Sequence, residues 1–160
     1  MPAVVTMPSV QAIQELMSGL LGKRLGVKDG KAFAPGGTNP VVIGVYKRDD
    51  GAVAALVVMD IALAANAAAA LVLIPPGVAG DSARSGKLAE NLLENVKELL
   101  NVCGRLFVSP GTAHVRMKAT CTVPPAAPPE IAGLLAKPNN RLDLELNIPG
   151  YAGGRMAVLI

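Results

Sequence analysis

Residues 52–74 form one nearly unbroken apolar run, and two polar side chains inside it, Asp60 and Asn66, decide what that run can become. Its length approaches that of a membrane-spanning helix. A carboxylate and an amide are costly in hydrocarbon, however, and an Asp-Gly turn opens the stretch. The reading that satisfies all three features is a buried strand followed by a buried helix, with no membrane span. Asp60 stands where a helix N-cap would, residues 61–74 are rich in alanine, the best helix former, and Pro75 and Pro76 end them. The helix is expected to be buried on most sides.

The preceding residues supply its neighbours. Valine-rich segments at 41–46 and 52–59 flank Asp49, Asp50 and Gly51, where Asp-Gly provides the positive backbone angles of a tight hairpin. As a metal loop the same three residues fail, because no further carboxylates follow at calcium-loop spacing. Upstream, Ser9 caps a helix at 9–21 whose apolar positions Val10, Ile13, Leu16, Met17, Leu20 and Leu21 recur every three or four residues, and it ends near Gly22. Pro35, Gly36, Gly37 and Pro40 then mark an irregular connection.

After a Gly/Ser-rich loop, residues 88–107 predict the longest helix, with Leu88, Leu92, Val96, Leu99, Cys103 and Leu106 on one face. A strand at 114–123 follows. Residues 128–136 read as a short helix with proline in its first turn. At 142–148 Leu142, Leu144, Leu146 and Ile148 alternate with Asp143, Glu145 and Asn147, and a Pro-Gly-Tyr-Ala-Gly-Gly turn leads to a last strand at 155–160. Antiparallel neighbours with helices packed on one face make an α+β sandwich. The 160 residues suit one domain, no linker divides them, and no repeat is visible in the sequence.

Composition narrows the function. At 51% hydrophobic and 17% charged the chain is neither disordered nor a coiled coil. Aromatics are only 2%, so alanine, valine and leucine must fill the core and elements must approach closely. The net charge of +3 is scattered, without the basic runs and interleaved aromatics that bind nucleic acid. Cys103, Cys121 and the single histidine, His114, are too few and wrongly spaced for zinc. The cysteines read as small buried residues of a reducing compartment, with a disulfide as the lesser alternative. The six methionines are dispersed core fillers. The first ten residues lack a basic region followed by an apolar one, which predicts a cytoplasmic protein.

Chemistry must come from elsewhere than the usual motifs. There is no GxxxxGK[ST], and neither Gly36-Gly37 nor Gly153-Gly154 has the strand-to-helix setting of a phosphate loop. No serine sits in GxSxG, and His114 reads as an ordinary strand or loop residue. What stands out is the polar stripe of the long helix: Lys87, Asn91, Glu94, Glu98, Asn101 and Arg105. Glu94, Glu98 and Asn101, separated by four and three residues, emerge one above another. A carboxylate there can pair with a partner's cation while an amide holds a water. The alternative is an ordinary solvated face, with Lys87 beside Asn91 and Glu98 beside Arg105.

The stripe resembles the signature of the CheC, CheX and FliY chemotaxis phosphatases: an acidic or serine residue, three residues, Glu, two residues, Asn, twenty-two residues, Pro. Glu94, Glu98, Asn101 and Pro124 match it, with Glu94 where the family usually has Asp or Ser. The element order, from N-terminal helix through hairpin, apolar helix and motif helix to C-terminal strands, is similar over most of the chain. The resemblance implies a CheC-like fold: an antiparallel sheet with a long central helix and further helices packed on it. It implies a phosphatase for the aspartyl phosphate of a CheY-like response regulator, in which Glu98 binds the partner's active-site lysine and Asn101 orients the attacking water. Asn91, Glu94 and Arg105 would contact the partner and Pro124 would be structural. This chain would bind no metal or other cofactor, since Mg²⁺ belongs to the regulator. A single motif is more like CheX, whose members act as homodimers, than like CheC. The rival expectation is a non-catalytic CheC-like binding or scaffold domain that uses the same face. A small-molecule enzyme is the weakest option, for want of a titratable cluster elsewhere.

Overall fold

A computed structural model describes residues 5–36, 39–108, 115–123 and 126–160, so His114 and Pro124 fall outside it. The chain opens with α1 (Val10–Leu21), β1 (Gly26–Asp29), β2 (Val41–Arg48), β3 (Val53–Asp60) and α2 (Ile61–Leu71). It continues through α3 (Pro76–Ser85), α4 (Glu90–Cys103) and a 3₁₀ turn (Gly104–Phe107) to β4 (Val115–Val123), α5 (Pro129–Ala136), β5 (Arg141–Asn147) and β6 (Gly153–Leu159).

The strands form one antiparallel sheet in the order β1-β5-β6-β3-β2-β4. That order is symmetric. Helix α1 with β1, β2 and β3 makes one half, α4 with β4, β5 and β6 the other, and β3 meets β6 at the centre, where Val57 faces Val158 and Val58 faces Ala157. Each half lends its first strand to the other: β1 pairs with β5, and β4 pairs with β2. The sequence shows no such repeat because the halves share a pattern of burial rather than residues.

Both faces of the sheet are covered. Helices α1, α2 and α4 lie over Val42, Tyr46, Ala55, Val57, Met59, Leu144, Met156 and Val158. On the reverse, Ile131, Leu134 and Leu135 of α5, together with Phe33, cover Val41, Ile43, Val45, Leu56, Val58 and Leu159. The expected placement of all helices on one face is therefore corrected. Residues 41–46 are buried without alternation, which requires a cover on each side. Phe33 is held there between Arg141 and Arg155, whose guanidinium carbons lie 5.7 and 4.6 Å from its ring centre.

Several other expectations are met or amended. Gly51, at φ 87, turns the β2–β3 hairpin. Ser9 caps α1 through the Ala12 amide at 3.0 Å, and Asp60 caps α2 through the Leu63 amide at 2.8 Å. Helix α2 is enclosed as expected, with Asn66 bonding the Ala62 carbonyl and the Ala152 amide. It stops at Leu71 rather than at the prolines, because the Ile74 amide returns to the Ala69 carbonyl and places Leu73 at φ 59. The supposed irregular connection contains β1, whose four residues GVKD carry one apolar side chain and too little alternation to announce a strand. The Gly/Ser-rich loop is α3, which begins on proline and whose small residues Ala79 and Ser82 are buried. Ser82 accepts the Ala89 amide at 3.1 Å and so ties α3 to the start of α4. No helix among the described residues is long and apolar enough to cross a membrane.

Both cysteines are free. Cys103 is wholly buried and burial pushes its thiol up to about 12. Cys121 is only half-buried on β4, and burial, then the charge of Glu130, raise its pKa too. At pH 8 a thiol reagent is expected to label native protein only at Cys121, with Cys103 reacting after denaturation, as peptide mass mapping would show. An unfolded thiol ionises near 9.0 while Cys103 keeps its proton to about 12. Its contribution to stability is thus complete below pH 9 and lost as pH rises toward 12, by about 1 kcal/mol at pH 10 in denaturant titrations.

Candidate functional site

Helix α4 is amphipathic in the plainest way: Leu92, Val96, Leu99, Leu100 and Cys103 are buried, while Asn91, Glu94, Glu98 and Asn101 are exposed. Arg105 continues the exposed row from the 3₁₀ turn. Successive members of the row are three or four residues apart, so the row follows the helix axis for roughly 20 Å at about 1.5 Å per residue. Lys87, read from the sequence as part of this row, precedes α4 and lies outside the helix.

The interactions along the row are few. Glu94 pairs with Lys97 at 3.5 Å, an exposed contact of little energetic weight, and the Asn95 amide bonds the Asn91 carbonyl at 3.1 Å. Among the described residues, the side chains of Glu98 and Asn101 have no hydrogen-bond or ion-pair partner. Both are thus exposed, one helical turn apart on the same side, and uncommitted. Such a pair can bind a cation through the carboxylate and orient a water through the amide, and it contains no nucleophile of its own. Clefts among the described residues lie beside β1 and β5, beside α1 and beside α5, away from this row. A projecting pair of this kind suits insertion into another macromolecule rather than enclosure of a small molecule.

The symmetry of the fold identifies a counterpart that the sequence reading passed over. Matching the buried Ile13 and Met17 of α1 to the buried Val96 and Leu100 of α4 aligns Gln11, Glu15 and Ser18 with Glu94, Glu98 and Asn101. The α1 row has no amide at its third position. Ser18 is already engaged, accepting the Leu25 amide at 3.1 Å, while Gln14 donates to the Leu25 carbonyl at 2.9 Å. Of the two rows, only that on α4 pairs a carboxylate with a free amide. The signal for the α1 row was present as Gln-x-x-x-Glu-x-x-Ser, legible only once the two helices were known to be equivalent.

By sequence alone the chain matches no protein-family profile. It matches no curated protein either. Its fold is similar to that of solved structures. FliY from Thermotoga maritima is 17% identical with a TM-score of 0.59, covering 98% of this chain and 84% of that one. The FliM middle domain from Vibrio alginolyticus is 11% identical with a TM-score of 0.56, over 94% and 86% of the two chains. A CheX–CheY complex with BeF₃ and Mg²⁺ from Borrelia burgdorferi matches at 14% identity and a TM-score of 0.53, over 94% and 93%. The chain has the α+β, CheC-like fold that its motif helix led one to expect.

Proposed function

We propose that this CheC-like chain is a phosphatase for the aspartyl phosphate of a CheY-like response regulator. One observation carries the reading: Glu98 and Asn101 stand exposed and unpartnered on the same side of α4 at the spacing of the phosphatase signature. The fold similarity to a CheX that binds CheY supports it. In the reaction, Glu98 pairs with a lysine of the regulator's active site and sets the register of α4 against it. Asn101 accepts and donates hydrogen bonds to a water held in line with the phosphorus–oxygen bond. The water oxygen bonds to phosphorus, the acyl phosphate bond breaks, and the products are the free aspartate carboxylate and inorganic phosphate. Mg²⁺ comes with the regulator. An aspartyl phosphate is already reactive, so positioning one water need supply only part of the ~7–11 kcal/mol available from orientation. Asn91, Glu94 and Arg105 extend the contact along the helix, and Pro124 is the last residue of the signature. The single complete row favours a CheX-like arrangement, with two copies of the chain acting as a homodimer.

The second reading is a binding or scaffold domain, which the fold similarity to FliM middle domains favours. Phosphate release from a ³²P-labelled regulator, followed with and without the chain, separates the two. Faster release than the regulator's own decay supports the phosphatase. A measurable complex with the regulator's unassisted rate leaves the scaffold.

A further inference from the structure

The turn that carries Asn101 is held from behind by the sheet. Helix α4 tightens as it ends: the Gly104 amide bonds back to the Asn101 carbonyl, which leaves the Leu100 carbonyl without that helical partner. The hydroxyl of Tyr46, on β2, donates to the Leu100 carbonyl. Leu100 is the inward-facing neighbour of Asn101, so the tyrosine grips the peptide next to the outward amide.

The surroundings give Tyr46 one place to be. It is completely buried, its ring lies 5.2 Å from that of Phe107 in the 3₁₀ turn, and Gly104 packs against its edge. On the strand side, a Cβ at Gly44 would meet the Tyr46 oxygen at 2.9 Å and two ring carbons at 3.2 Å. The ring thus leans across a glycine of its own strand to reach α4. Burial, then the neighbouring Cys103, raise the Tyr46 pKa well above 10.0, so the hydroxyl remains a donor through the neutral range.

We infer that Tyr46 is a positioning residue for Asn101, its hydroxyl fixing the height and rotation of the last turn of α4 so that the outward amide meets the water at the angle the reaction needs. This rests on the phosphatase reading above. Glu98, a turn nearer the middle of the helix, is held by Val96 and Leu99 and does not depend on the hydroxyl.

The test compares wild type with Tyr46→Phe, which keeps the ring, and with Gly44→Ala, which keeps the tyrosine but crowds its oxygen. Phosphate release at saturating chain concentration is measured beside the dissociation constant for the BeF₃-activated regulator. Both variants should lower the saturating rate about tenfold while the dissociation constant stays within about twofold. Amide exchange at Gly104–Phe107 should accelerate, with that of Leu92 and Val96 unchanged. Loss of folded protein alone would lower binding stoichiometry and rate together, and that result would overturn the inference. A full saturating rate in both variants, in an assay where Asn101→Ala is inactive, would overturn it while leaving the phosphatase standing. No acceleration by wild type would remove both.

Discussion

With alanine in place of Asn101, the chain should still bind its regulator but release phosphate on the order of 100-fold more slowly. The amide is exposed and has no partner among the described residues, so its removal leaves no buried group unsatisfied. Alanine is also the better helix former, and thermal stability should be unchanged or slightly raised. The defect would therefore belong to the chemical step. Glu98→Ala is expected to fail differently: losing the carboxylate removes a charged contact with the partner, so the dissociation constant should rise at least tenfold before any change in saturating rate. Binding and single-turnover release measured on both variants distinguish the roles. An Asn101→Ala protein with the wild-type rate would end the catalytic assignment.

A large stability effect is expected far from α4, at Gly154→Ala. Strand β6 passes the start of α2 so closely that a Cβ at Gly154 would lie 2.4 Å from the Asp60 carboxylate oxygen and 2.4 Å from the Leu63 nitrogen. Those two atoms form the N-cap bond of α2, at 2.8 Å. The added methyl must either push the strand away or break the cap. Overpacking costs about 1–3 kcal/mol and loss of a cap about 1 kcal/mol, and both also disturb the Arg155–Asp60 pair at 3.4 Å. A loss of about 3 kcal/mol corresponds to a fall in melting temperature of about 10 °C for a chain of this size, measurable by calorimetry. Gly153→Ala should be worse, since its Cβ would stand 1.8 Å from the Leu146 carbonyl oxygen of β5. A variant at either position that melts with wild type would show that the start of β6 yields easily.

Where residue chemistry acts locally, the sequence could be read directly. Ser9, Asp60 and Gly51 each do at the backbone what their types suggest, and the alternation of Leu144, Leu146 and Ile148 places them in the core. The outward row of α4 was legible for the same reason, since helical spacing alone sets which side chains share a face. What escaped reading depends on distant partners. Strand β1 is too short and polar to form alone and exists because β5 offers it a ladder from Gly26 to Asp29. Helix α3 contains two interior glycines and two serines, and its packing against α2 outweighs that propensity. The grip of Tyr46 on Leu100 joins residues 54 positions apart, and nothing in either neighbourhood announces it.

The exchange of edge strands between the halves has a consequence for assembly. A fragment ending between α3 and α4 would contain β1, β2 and β3 but not β5, β6 or β4, leaving β1 without its only ladder and β2 with one open side. Neither fragment can complete a sheet of its own, so cleavage at that junction should yield two pieces that fold only on being mixed. The order of events follows as well: β4 cannot settle on β2, nor β1 on β5, until the chain has closed loops of about half its length in the first case and about three quarters in the second, which makes for slow folding with late consolidation at the rims.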